Sequence, residues 1–182
     1  MQTSKKNTFF PTGVGGFLRR RAIESGGIAL ITLATGLFAA LATYNPSDPS
    51  LNSASGDSPL NLLSHTGAIA SDLLLQSLGL SIPLAAAVIA AWGWRFLTVH
   101  SLKKFWLRLA LLPINMLLCA LAFTALGFAW TALVWPIEAG LGGFVGRLMF
   151  TGTTDLIVNI GLWPDPRWIA VASGTLTLML TL

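Results

Sequence analysis

The sequence predicts an all-α integral membrane protein: four transmembrane helices, with an amphipathic or re-entrant segment between the third and the fourth. Three observations carry that expectation. The 182 residues are 54% hydrophobic and only 10% charged, where a soluble domain carries about 25% charged residues to cover its core. Long stretches hold no charge at all, as from Ser25 to Ala42. All but two of the eleven basic residues, Arg147 and Arg167, fall in two places, before the first apolar stretch and between the second and third.

Residues 1–25, "MQTSKKNTFFPTGVGGFLRRRAIES", read as a cytoplasmic basic tail, and Pro11 with the "GVGG" stretch argues against a long helix there. Residues 26–182 form the membrane domain. Its first span covers about 26–44, roughly 28 Å at 1.5 Å per residue, enough for a hydrocarbon core of about 30 Å. Ala40-Leu41-Ala42 also fits a signal-peptide cleavage site after a positive n-region, a rival reading that would remove this span. A polar loop follows to about Thr66, and "NLLSHTGAIASDLLLQSLGL" leads gradually into a second span near 78–97. Asp72 and Gln76, one helical turn apart, share a face there. They read as a protein-facing turn at the water boundary, with a buried proton or ion site as the alternative.

Trp92, Trp94 and Arg95 close the second span as an aromatic belt beside a positive charge. The third span covers about 109–134. Pro83 and Pro113 each remove a backbone donor, so kinks are expected at both. Residues 137–167 are apolar enough to tempt a span, yet Arg147 and Asp155 near the middle would each cost about 2.5 to 3.5 kcal/mol at a bilayer centre. The segment therefore reads as interface-lying or partly re-entrant, with a fifth span as the alternative. A fourth span occupies about 168–182, short enough to look truncated.

Lys5, Lys6, Arg19, Arg20, Arg21, Arg95, Lys103, Lys104 and Arg108, nine of the eleven basic residues, fall on one side of this layout. The positive-inside rule makes that side, and the N-terminus, cytoplasmic. The net charge of +4 also admits a nucleic-acid patch, but no aromatic-basic stacking motif accompanies the lysines, and direct nucleic-acid binding is not expected. The single Cys119 excludes an internal disulfide.

There is no GxxxxGK[ST], HExxH or CxxC, so no catalytic, cofactor-binding or metal-ligating residue is assigned. His65 and His100 read as solvated loop residues. Small residues do recur at helix-packing spacing: Thr32, Gly36 and Ala40 in the first span, Ala86 and Ala90 in the second, and Ala120, Thr124, Gly127 and Thr131 in the third. They let helices approach closely inside the bundle, or at a seam between copies in a homo-oligomer. Gly142 and Gly146 form a further GxxxG outside the expected spans.

In this order, the basic "RRR" tail, a loop with "YNPSDPSLN", "GAIASDLLLQSLGL" before a Trp-rich span and "GGFVGRLMF" before the last one resemble the N-terminal membrane domain of the FtsK/SpoIIIE DNA translocases. Gly67, Ala68, Ala70, Asp72, Leu74 and Gly79 match that family's pattern leading into the second span. The resemblance implies a membrane anchor acting in cell division and chromosome segregation. It would sit in the bacterial inner membrane at the septum, with division-machinery membrane proteins and lipid as partners and the ATP-driven motor absent from this chain. Tyr44, Asn45, Pro46, Asp48 and Pro49 are then the candidate partner-docking loop. A small polytopic transporter or channel subunit is the alternative; it would want polar groups at mid-bilayer and repeat symmetry, and no sequence repeat relates the two halves.

Overall fold

The computed structural model describes residues 14–51, 58–99, 104–129 and 139–181. Six helices make up the fold, with no strand among the described residues: α1 (Val14–Ala42), α2 (Ser64–Leu78), α3 (Ser81–Thr98), α4 (Phe105–Ala129), α5 (Gly143–Asn159) and α6 (Pro166–Thr181). By length and apolarity α1, α3 and α4 can each cross a membrane. The 16-residue α6 packs along α4 and takes the place of the fourth span.

Packing of one helix on the next but one occurs twice. α1 packs on α3 and α4 on α6, while the intervening α2 and α5 touch each other and join the two halves. This repeat of packing order has no counterpart in residue identity. It was invisible in the sequence because each half meets different neighbours with different side chains.

Several boundaries differ from the sequence reading. α1 starts at Val14, so residues 14–25 are helical and the "GVGG" stretch does not keep them from the helix. Extending an existing helix forms one hydrogen bond for each residue fixed, which offsets the poor propensity of Gly15 and Gly16. Arg20 Nε and Arg21 Nη1 pair with Glu24 at 3.0 and 2.6 Å, adding support along this turn. The approach to the second span is a separate helix, α2, broken from α3 at Gly79-Leu80. Pro83 consequently falls in the first turn of α3, where its missing N–H leaves no helical bond unmade. Pro113 lies inside α4, which is continuous through it. The end of the third expected span, residues 130–134, and His100 lie outside the described residues.

Residues 143–159 of the interspan segment form α5. It turns Gly143, Gly146 and Phe150 inward and leaves Arg147 and Asp155 at the surface. Phe150 stacks on Phe128 of α4 with ring centroids 4.7 Å apart. Leu121, Ala125, Phe150, Ile169 and Ala170 then form the core where α4, α5 and α6 meet.

Candidate functional site

The loop after α1 is a clamped structure. Asn45 starts a tight turn: Pro46 supplies the fixed φ, the Ser47 N–H donates to Asn45 Oδ1 at 3.1 Å, and the Asp48 N–H donates to the Asn45 carbonyl at 3.1 Å. The turn delivers the Asp48 carboxylate into the protein, where Leu60 N–H reaches Oδ1 at 3.0 Å and Asn61 N–H reaches Oδ2 at 2.9 Å. Asp48 is 5% exposed and Asn61 4%.

Asn61 in turn finishes the first helix. Its Nδ2 donates to the carbonyls of Ala40 at 2.8 Å and Thr43 at 3.2 Å, groups that the end of α1 would otherwise leave unpaired. Its Oδ1 accepts from Leu63 N–H at 3.1 Å, and Leu62 N–H donates to Thr43 Oγ1 at 3.0 Å. A Cβ at Gly67 would overlap Asn61 Oδ1, so the first turn of α2 needs glycine to admit this carboxamide.

A second tie runs deeper. The Tyr44 hydroxyl donates to Asp72 Oδ1 at 3.0 Å, and Gln76 Nε2 donates to the same oxygen at 2.7 Å. Burial, then the hydrogen bond to Asp72, then the charge of that carboxylate push the Tyr44 phenol up to about 12. Asp72 is 8% exposed and is held by partners on α2 and after α1.

Of the five residues of the candidate docking loop, Asp48 is therefore occupied by the protein's own backbone, and the Tyr44 hydroxyl by Asp72. Asn45 and Pro49 are half-buried, and Pro46 is exposed, as is the neighbouring Ser47. Beside them Leu51, Leu60 and Leu62 are exposed at 77%, 76% and 71%. The outward surface is thus Pro46, Ser47 and three leucines, which the sequence reading did not single out. His65 is exposed, as expected, but it lies in the first turn of α2 and not in a loop.

The small residues occupy two seams. Ala120 and Thr124 of α4 face Gly142 and Gly146, at either of which a Cβ would overlap the Ala120 carbonyl and Thr124 Oγ1. Gly127 faces Leu141, Ala86 is fully buried, Ala90 half-buried and Ala40 is 2% exposed. Thr32 points outward, and Gly36 makes only ordinary contact with Leu63. The closest crossing of α1 and α3 is at residues the spacing did not flag: a Cβ at Gly27 would lie 2.9 Å from the Gly93 carbonyl, and one at Gly93 would lie 2.8 Å from the Gly27 carbonyl. The adjacent glycines 26 and 27 and a glycine between two tryptophans were the available signals.

The α2–α3 break completes the frame. Gly79 (φ +57°) and Gly143 (φ +67°) both adopt left-handed backbone, and the Leu80 N–H donates to the Leu141 carbonyl at 2.8 Å. Of the motif residues, Gly67 admits Asn61, Asp72 ties α2 to Tyr44 and Gly79 makes the break, while Ala68 is buried.

Fold and site define a polytopic, all-helical membrane domain in which the α1–α3 and α4–α6 pairs are joined through α2 and α5. The family described as the 4TM region of DNA translocase FtsK/SpoIIIE matches residues 19–182. A DNA translocase FtsK from Agrobacterium fabrum is 37% identical over 165 residues, covering 84% of this chain and 18% of the relative. One from Azospirillum brasilense is 31% identical over 181 residues, covering 98% of this chain and 28% of the relative. One from Caulobacter vibrioides is 37% identical over 128 residues. The chain belongs to the FtsK/SpoIIIE four-transmembrane family, and it spans less than a third of the length of these relatives. No solved structure matches it.

Proposed function

We propose that this chain is the membrane anchor and septal interaction module of an FtsK-like DNA translocase acting in cell division and chromosome segregation. It lies in the bacterial inner membrane with its N-terminus in the cytoplasm and is neither an ATPase nor a DNA-binding module. The observation that carries the reading is the match of the four-transmembrane region over residues 19–182. The absence of any phosphate-binding motif from the sequence supports the non-catalytic part. Confinement of nine of eleven basic residues to the flanks of the spans supports the orientation.

Within this reading, partners dock on the outward surface of the loop after α1. The Asp48 and Asn61 clamps hold Pro46, Ser47, Leu51, Leu60 and Leu62 on a fixed platform, and polar loops on rigid scaffolds are common binding sites. A fluorescent fusion of the chain tests the function. It should collect at the septum in cells with matching partners, and uniform membrane fluorescence while those partners stand at the septum would overturn the anchor reading.

A further inference from the structure

Between α3, α4 and α6 runs an apolar groove of about 360 Å³, lined by Val88, Ala91, Leu112 and Met116 among others, that no side chain of the described residues fills. Leu84 and Leu178, also in its lining, are 49% and 64% exposed, so the groove opens sideways out of the bundle. Asn115 of α4 lines it too. That residue is 7% exposed, and its carboxamide oxygen is buried without a hydrogen-bond partner. A buried acceptor left unmade is a standing cost, which an occupant carrying a donor would remove.

Donors of that kind stand unused on α1. The hydroxyls of Thr98, Thr124, Thr177 and Thr181 donate to carbonyls of their own helices. Those of Thr32 and Thr35 make no hydrogen bond among the described residues, and both threonines are exposed. With the exposed Ile28 they follow i, i+4 and i+7 spacing and so share one face of α1. Gly27 abuts Gly93 and Leu97, and Gly93 abuts Gly27 and Ile31. Counting forward along α1 and back along α3 from there sets Val88 and Ala91 level with the stretch that holds Thr32 and Thr35. Asn115 shares the groove with Val88 and Ala91, whereas no described residue of α1 lines it. An unpaired acceptor and two unpaired donors therefore stand at one depth of the membrane, on different parts of the molecule.

We propose that the groove receives α1 of a second copy of this chain, with the Thr32 or Thr35 hydroxyl donating to Asn115 Oδ1. Every copy crosses the membrane in the same sense, so a neighbour brings its threonines to the depth of Asn115 without sliding. Its α1 then runs opposite to α3, the relation that the two helices already have within one copy. Charge complementarity selects this occupant: the partial negative charge of Oδ1 meets a hydroxyl proton, and such bonds between helices help to hold membrane bundles together. A lipid chain would fill the trough but carries no donor below its headgroup. The contact is heterologous, one copy's α1 face against the next copy's groove, so each pair keeps a free face and a free groove and the contact extends into a ring or a chain. The inference needs only that the chain spans the membrane, and it stands or falls separately from the septal reading.

Two differently tagged copies expressed together test it, both C119A, one carrying F38C and the other L84C. By the same counting Phe38 stands level with Leu84, and the two are 40% and 49% exposed. Oxidation in the membranes of the expressing cells should join the two tags. F38C paired with F38C should give little product, because two α1 faces do not meet. T32V/T35V in the first copy keeps the side-chain shape and removes both donors; it should lower the F38C–L84C yield about threefold or more, the scale of one hydrogen bond between helices in a bilayer. N115L in the second copy should do the same, and the two changes together should be no worse than either alone.

Thr32 and Thr35 face outward, so T32V/T35V should leave the Tyr44 titration unaltered and separates loss of the contact from loss of the fold. Product from F38C with F38C and none from F38C with L84C overturns the proposal in favour of a seam between α1 helices. An F38C–L84C yield indifferent to both T32V/T35V and N115L, or no product between copies at all, also overturns it and leaves the groove to lipid or to a helix of another protein.

Discussion

The Tyr44 hydroxyl lies 3.0 Å from Asp72 Oδ1 and donates to it, joining the exit of α1 to the second turn and a half of α2. The pair closes a hydrogen-bonded path in which Asp48 holds Asn61, Asn61 holds the last carbonyls of α1, and Tyr44 holds α2. What looked like a polar interruption in an apolar chain is thus largely internal wiring.

Tyr44 is the only tyrosine in the sequence, so its ionisation can be followed by phenolate absorbance without interference from another. The midpoint should lie near 12, raised from 10.0 chiefly by burial and then by Asp72. D72N removes the charge and should move it down. The sign of the linkage follows: the folded state holds the phenolic proton more tightly, so the stabilisation is fully present below pH 10.0 and is lost as pH rises through about 12. A wild-type midpoint near the free value, unchanged in D72N, would show that the two groups do not meet.

Replacing Asp48 should be costly where replacing its neighbour Ser47 is not. D48A leaves the Leu60 and Asn61 N–H groups without their acceptor, and a loss of about 1 to 3 kcal/mol is expected for a buried group left unpaired. S47A touches an exposed side chain and should stay within about 0.5 kcal/mol. Denaturation in mixed micelles measures both. Comparable stability of the two variants would remove Asp48 from the clamp.

The α1–α3 crossing makes a similar claim about glycine. At Gly93 a side chain meets the Gly27 carbonyl and the Ile31 backbone N, both parts of a rigid helix, so G93V should destabilise by about 1 to 3 kcal/mol through forced separation of the helices. Gly26 has open space where a Cβ would go, and G26A should be tolerated. Equal effects at 26 and 93 would mean the helices do not cross there.

Hydropathy revealed the helices because lipid-facing and buried positions are both apolar, and it hid the seams for the same reason. Gly36 and Gly27 look alike in the sequence; only the second faces a backbone carbonyl of another helix, and that depends on where α3 lies. The break at Gly79 was obscured because "LLLQSLGLSIPLAA" keeps a helical apolar pattern across it, while the backbone there needs a positive φ and a partner in Leu141 that is 62 residues away. Asp48 was legible as a turn residue and misread as a surface one. Its partners, Leu60 and Asn61, offer only backbone N–H groups, which no residue pattern advertises. Asp72 and Gln76 were legible as a pair because their spacing is local to one helix.

Sidedness follows from the same crossing. A Cβ at Gly27 would meet Gly93 and Leu97, and one at Gly93 would meet Gly27 and Ile31, so α3 advances from 93 to 97 as α1 goes back from 31 to 27, and the two helices run antiparallel. Arg19, Arg20 and Arg21 therefore share an end with Arg95, while Ser47 lies beyond the far end of α1, roughly 24 Å of helix from Gly27 to Ala42 at 1.5 Å per residue. In the orientation proposed from the positive-inside rule, the arginine end faces the cytoplasm. In a C119A background, S47C should react with an impermeant thiol reagent applied from outside the inner membrane, and V99C should react only after the cells are opened. Both positions are exposed in the structure, so a failure to label reflects the membrane and not the fold. Reaction of V99C alone from outside would invert the orientation while keeping the antiparallel pair. Reaction of both from the same side would contradict the crossing itself, because no single traverse by α1 can leave its two ends in one compartment.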